Sequence, residues 1–220
     1  DIKQAGDKQV FRVKLGSGES AEDDDPADND LGDFAISLAG KHNISNALAV
    51  IAAALEMNVE LHEIRSYLEE FEGTARRAEV MGTFRGALII DDYAHHPTEI
   101  KTTIAGLKTK YPQKHIRVFF HPHTFTRTKA LLSDFACSFD AADEVVVLDI
   151  FGSAREKQGD VSSADLVAAI KAHNPAIKAL GGGDLKQAGN YLRDSIQKND
   201  LIILMGAGDV FKIGKDILKN

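Results

Sequence analysis

LIIDDYAHHPTEI, residues 88–100, runs from an apolar segment straight into two aspartates, then a tyrosine, two adjacent histidines and a proline. The apolar, β-branched part reads as a buried strand. The part from Pro97 onward reads as a helix with its proline in the first turn, where the missing N–H costs nothing. A strand that hands over to a helix through a crowd of ionisable groups is the unit on which the rest of this chain is built.

The same alternation continues to the end of the sequence. IRVFF (116–120) precedes a helical pattern over 127–141, and EVVVLDI (144–150) precedes one over 162–172. AIKAL (176–180), a weaker strand, precedes a helix over 184–198, and DLIILMG (200–206) precedes a last helix over 209–219. Short β-branched strands between helices of ten to fifteen residues predict an α/β domain, a mostly parallel sheet with helices on both faces. In such sheets ligands bind beyond the carboxyl ends of the strands.

The first 75 residues differ. VFRVKLG (10–16) and DFAISLAG (33–40) alternate like strands and predict a hairpin with a long loop. That loop holds seven acids and no base between Ser17 and Asp30, and reads as a solvated segment. NISNALAVIAAALEMN (43–58) predicts a largely buried helix, and LHEIRSYLEEF (61–71) an amphipathic one. EGTARRAE (72–79) then breaks the pattern, which places a domain boundary near residue 75 and domains at 1–75 and 76–220. The opening piece looks like the tail of a larger domain.

Composition narrows the function classes. A net charge of −7 over 220 residues argues against a nucleic-acid surface, and no signal peptide or membrane-length apolar run is present. A single cysteine, Cys137, permits no internal disulfide and is expected as a small core residue in a reducing, cytoplasmic setting. The expected partners are small molecules, with no nucleic acid and no membrane; oligomeric state is not encoded in any recognisable pattern.

Four predicted strand ends face one rim and carry DDYAHHP (91–97), HPHTFTRT (121–128), DIFGSARE (149–156) and GAGD (206–209). Plain structural roles exist for several of these groups. Asp91 or Asp92 could cap the next helix, Arg127 and Arg155 could form surface ion pairs, and GAGD lacks the third glycine of a dinucleotide fingerprint. As a set they fit two chemistries. One is a dimetal phosphoesterase with Asp91, Asp92, His95, His96, His121, His123 and Asp149 as ligands. The other is a group-transfer site that holds anionic substrates. Arg76, Arg77, Arg127 and Arg155 favour the second, because guanidinium forks match carboxylate and phosphate and a metal cage has no use for them.

GKHNISNALAV (40–50), FEGTARRAE (71–79), DDYAHHPTEI (91–100), HPHTFTRT, DIFGSARE and GAGD, in this order and spacing, resemble the Mur ligases, and within them the branch that joins L-alanine to UDP-N-acetylmuramate. The resemblance runs from about residue 32 to the end. It implies the C-terminal fragment of a three-domain enzyme: the strand-and-helix tail of a central α/β ATPase domain, then a whole C-terminal Rossmann-like domain. No G-x-x-G-K-[ST] motif occurs, so the fragment alone is expected to be inactive. The implied reaction is ATP-driven amide formation with Mg²⁺ on the phosphates, through an acyl phosphate of UDP-N-acetylmuramate that the amine of L-alanine attacks. Non-catalytic nucleotide binding is the remaining alternative.

By the same resemblance, Asn43 and Asn46 face the adenine with His42 beside them. Their i, i+3 spacing puts both amides on one side of a helix start. Arg77 would reach the nucleotide from the interdomain hinge, and Asp92 would bind its ribose. Tyr93, His95, His123 and Arg127 would line the pocket for alanine and the reacting carboxylate, with Arg155 as a further substrate contact. His95, His123 and Arg127 are the catalytic candidates, and no protein-held metal is expected. Many members carry Arg where this sequence has Thr124, which leaves more of the carboxylate binding to Arg127.

Overall fold

The computed structural model describes residues 2–6, 8–16, 29–38, 40–152 and 159–219. Arg155 and most of the acidic loop, residues 17–28, lie outside them. The chain divides into two compact units, Asp1–Gly73 and Thr74–Asn220. Among the described residues no helix is long and apolar enough to cross a membrane.

The first unit is a three-stranded antiparallel sheet, β1 (Ile2–Ala5), β2 (Lys8–Lys14) and β3 (Asp30–Ile36), with α1 (Lys41–Glu56) and α2 (Leu61–Glu70). The expected hairpin is β2–β3, and its register sets Phe11 opposite Phe34. Those rings pack with Ile44, Ala47 and Ile51 of α1 and Ile64 and Leu68 of α2. Positions i, i+3 and i+7 form one helical stripe, so only that face of α1 is covered. The expectation of a largely buried α1 is therefore corrected: Val50 is 52% exposed and Leu48 41%. The short β1 escaped the sequence reading because IKQA has no apolar alternation, and all four of its residues are exposed.

The second unit is a six-stranded sheet in the order β4-β5-β9-β6-β7-β8. Its strands are β4 (Glu79–Phe84), β5 (Ala87–Asp92), β6 (His115–Phe120), β7 (Glu144–Leu148), β8 (Lys178–Gly183) and β9 (Asp200–Met205). All neighbours run parallel except β4, which pairs antiparallel with β5 at the edge. The helices are α3 (Pro97–Lys110), α4 (Phe125–Ala130), α5 (Leu132–Ala136), α6 (Ser163–His173), α7 (Leu185–Ser195) and α8 (Phe211–Leu218). Successive strand residues point to opposite faces. Ile90, Phe120, Val147 and Ile203 thus pack with α3, α5 and α6 on one face, while Ile89, Phe119, Val146 and Ile202 pack with α7 and α8 on the other. This is a Rossmann-like α/β sheet covered on both sides.

Two details depart from expectation. The single helix over 127–141 is two short ones, interrupted at Leu131 (φ −112°, ψ 21°). The Thr128 hydroxyl donates to the Thr124 carbonyl (2.8 Å) in the turn before the break, a side-chain bond of the kind that bends helices. Cys137 is not a core residue. It ends α5, is half-buried, and places its Sγ 3.5 Å from Nδ1 of His173.

Candidate functional site

Register brings the strand ends level. Asp92 pairs with Met205, Met205 with Phe120, and Phe120 with Val147, so β5, β9, β6 and β7 finish abreast at one rim. The chain runs outward from β6 to β8 and then returns to insert β9 between β5 and β6. The β5 and β6 loops therefore stand two strand spacings apart, about 9–10 Å. Tyr93 and His95 follow one, His123 and Arg127 the other, and Gly206–Gly208 end the strand between them.

The two aspartates of the opening motif hold the turn before β4. Asp91 is buried and pairs with Arg76, Nε to Oδ2 3.0 Å. Arg76 also donates through Nη2 to the carbonyls of Gly206 (2.7 Å) and Gly208 (3.1 Å). Its guanidinium lies 4.9 Å from the Tyr93 ring centre and 4.8 Å from that of Phe211. Asp92 accepts the N–H of Ala78 on Oδ2 (2.7 Å) and that of Ala94 on Oδ1 (2.8 Å). The Tyr93 N–H donates to the Arg76 carbonyl at 2.8 Å. These bonds pin a turn whose residues Arg76 (φ 62°) and Ala78 (φ 48°) sit in the left-handed region, a conformation that persists only when its surroundings fix it. Burial pushes both carboxyls above their ordinary pKa, against the Arg76 charge at Asp91 and the backbone N–H groups at Asp92.

Neither aspartate caps α3. That role belongs to His96, whose Nδ1 accepts the Thr98 N–H at 3.3 Å while Glu99 accepts the His96 N–H. His95 points elsewhere. Its Nδ1 lies 3.1 Å from the Tyr93 carbonyl oxygen, a pure acceptor, so Nδ1 carries the hydrogen and a neutral ring keeps its lone pair on Nε2. The Tyr93 and His95 rings meet edge-on at 5.2 Å, and Arg77 lies 5.8 Å from the Tyr93 ring centre.

Across the rim, His121 is buried, which holds its pKa below the ordinary value. GAGD has its glycines because this residue is so close: a Cβ on Gly206 would stand 2.6 Å from the His121 carbonyl oxygen, and one on Gly208 2.9 Å from its Nδ1. Thr124 takes φ 70°, rare for a β-branched residue, and caps α4 with its hydroxyl 3.4 Å from the Arg127 N–H. Among the described residues, the buried Nη1 of Arg127 has no hydrogen-bond partner. A guanidinium nitrogen withdrawn from water and unpaired is costly, and an incoming carboxylate or phosphate would satisfy it.

In the first unit, His42, Asn43 and Asn46 lie in the first turns of α1, and the Asn46 amide donates to Asn43 Oδ1 at 3.3 Å. The spacing did put both amides on one side. Asn43 is not the cap, which falls at Gly40. The seven residues of the alternative dimetal cage do not converge: Asp91, Asp92 and His96 have the separate roles given above. Among the described residues no group of three or more His, Cys, Asp or Glu is placed to hold a metal ion.

The rim of this α/β domain carries arginines, imidazoles and, among the described residues, a buried Arg127 nitrogen without a hydrogen-bond partner, at the strand ends where ligands of such sheets bind. The family model described as "Mur ligase, glutamate ligase domain" matches residues 76–208, and the chain belongs to the Mur ligase family. It is 44% identical over 188 residues to the UDP-N-acetylmuramate–L-alanine ligase of Desulfitobacterium hafniense (strain Y51), covering 86% of this chain and 42% of that protein. The like-named protein of Caldanaerobacter subterraneus subsp. tengcongensis is 42% identical over 189 residues, covering 86% and 40%. The chain thus spans about two fifths of the length of these relatives. Among solved structures, UDP-N-acetylmuramate-alanine ligase from Thermotoga maritima superposes with a TM-score of 0.77 at 24% identity, over 97% of this chain and 43% of the other.

Proposed function

We propose that this chain is the C-terminal part of an ATP-dependent ligase that joins L-alanine to UDP-N-acetylmuramate, a step of peptidoglycan precursor synthesis in the cytoplasm. The relatives at 42–44% identity carry that name. The observation that carries the reading to the site is the buried Nη1 of Arg127, without a hydrogen-bond partner among the described residues, on the rim opposite His95.

In this reading ATP phosphorylates the muramoyl carboxylate. The free amine of L-alanine then attacks the acyl phosphate, and inorganic phosphate leaves from a tetrahedral intermediate. Arg127 holds the alanine carboxylate, which fixes the amine for attack. His95 presents Nε2 as the acceptor for an ammonium proton, its tautomer set by the Tyr93 carbonyl. Asn43 and Asn46 face adenine, with His42 beside them, and Arg77 meets the nucleotide. Both Asp92 oxygens already accept backbone N–H groups, so a ribose hydroxyl would share a carboxylate that first holds the Arg77 turn. Mg²⁺ belongs on the ATP phosphates. The described side chains offer no ligand set for it, and the reading assigns it to another part of the enzyme.

The test is kinetic, in the longer enzyme. Arg127→Ala removes a charge-assisted bond of about 1.5–3 kcal/mol and should raise KM for L-alanine by roughly 10- to 100-fold while KM for ATP stays within about twofold. Equal rises in both constants contradict the assignment.

A further inference from the structure

Phe151 lies three residues past the end of β7 and is 42% exposed, an unusual place for a phenylalanine. Its ring stacks on the His123 imidazole, centroids 5.4 Å apart and planes 24° apart. Its edge relation to His121 is nearly perpendicular, 85° at 5.6 Å. The backbone is tied at the same point: the Phe151 N–H donates to the Pro122 carbonyl (2.8 Å), and its carbonyl accepts the Thr124 N–H (2.9 Å). These bonds make an isolated parallel bridge between His123 and Phe151. The bridge resumes the β6–β7 ladder beyond its last regular pair, Phe120 with Val147, after one extra residue on the β7 side. One residue thus fixes both the loop that carries His123 and the plane of its ring.

We propose that Phe151 is a positioning residue of the amino-acid pocket, acting through His123 by stacking on the imidazole. This rests on the reading above, in which His123 lines that pocket. Backbone pairing alone survives any side chain other than proline; the stacking needs an aromatic ring. An aromatic pair contributes modestly beyond its buried area, which corresponds to a change of about 3- to 10-fold.

The longer enzyme is assayed as wild type, Phe151→Leu, Phe151→Tyr, His123→Ala and the Phe151→Leu/His123→Ala double variant. Phe151→Leu should raise KM for L-alanine about 3- to 10-fold with KM for ATP unchanged, and Phe151→Tyr should restore the wild-type value. Once His123 is alanine, Phe151→Leu should cost less than about twofold, because the partner it positions is gone. The proposal is overturned if leucine serves as well as tyrosine, if both KM values rise together, or if Phe151→Leu costs the same with and without His123. A wild-type enzyme that releases ADP without needing L-alanine removes the underlying reading and this proposal with it; alanine-dependent turnover with any of the three preceding results removes the proposal alone.

Discussion

Arg76 and Arg77 are neighbours in sequence and opposites in environment. Arg76 is paired with buried Asp91, bonded to two carbonyls of the Gly206–Gly208 turn and set against two aromatic rings. Arg77, among the described residues, makes none of these carbonyl bonds; it lies 5.8 Å from the Tyr93 ring centre and lends its charge to Asp92 and Glu99. Arg76→Ala should therefore lower unfolding stability by about 2–4 kcal/mol in denaturant titration, since it leaves a buried carboxylate alone. Arg77→Ala should change stability by less than about 0.5 kcal/mol and raise KM for ATP; the reverse pattern would exchange their roles. Asn46→Ala removes one amide and should weaken nucleotide binding about fivefold, a single hydrogen bond's worth; an unchanged Kd would leave the Asn43–Asn46 bond as its whole purpose. The residue types at the site were legible because ionisable groups clustered at strand ends. Which arginine would be built in was not, because that depends on a left-handed turn that no side-chain pattern announces. His96 as the cap was missed for a related reason: Asp and Asn lead at that position, and a histidine does the same job through a lone pair on Nδ1.

Among elements, four of the five parallel strands were readable from their β-branched runs, and the helices after four of the five from the change of period. The exception, β8, is KALGGG; it has no β-branched residue and begins two residues later than the weak AIKAL signal placed it. β4 was not, although its signal is present. Phe84 pairs with Ala87 across Arg85 and Gly86, both with positive φ, the signature of a two-residue hairpin turn. Gly82 and the half-exposed pattern of an edge strand diluted its alternation. This hairpin matters because Asp92 at its far end holds Ala78 at its near end. Asp92→Asn would turn an amide N–H₂ toward one of two backbone donors and should cost about 1–3 kcal/mol in unfolding stability. A variant with full stability and only a raised KM for ATP would show that Asp92 serves the ribose and not the turn.

At the scale of the whole second unit, the rim that carries the candidate site is balanced by an ionic cluster at the opposite ends of the same strands. Buried Arg117 of β6 bonds Glu144 at the start of β7 (3.0 Å) and Asp200 at the start of β9 (2.9 Å), so one guanidinium joins three adjacent strands. Lys178 and Tyr191 complete the shell of Glu144. Glu144→Ala should cost about 3–5 kcal/mol by leaving Arg117 under-paired in the interior. Burial pushes the Glu144 carboxyl up, but hydrogen bonds from Lys178 and Tyr191 and the Arg117 charge outweigh it and hold its pKa below the ordinary value. Its contribution to stability is thus complete above the unfolded value of about 4.3 and lost as pH falls through the lower folded value. Glu144→Gln should flatten that acid limb in unfolding titrations, and an unchanged limb would assign it to other carboxylates. Ligase chemistry is read by ADP release from the chain extended with the upstream sequence of its relatives. UDP-N-acetylmuramate and Mg-ATP are supplied, L-alanine is added or withheld, and the 220-residue chain serves as control. Turnover that requires L-alanine and is absent from the 220-residue chain is the predicted result. No turnover from the extended chain, or turnover indifferent to L-alanine, would contradict it.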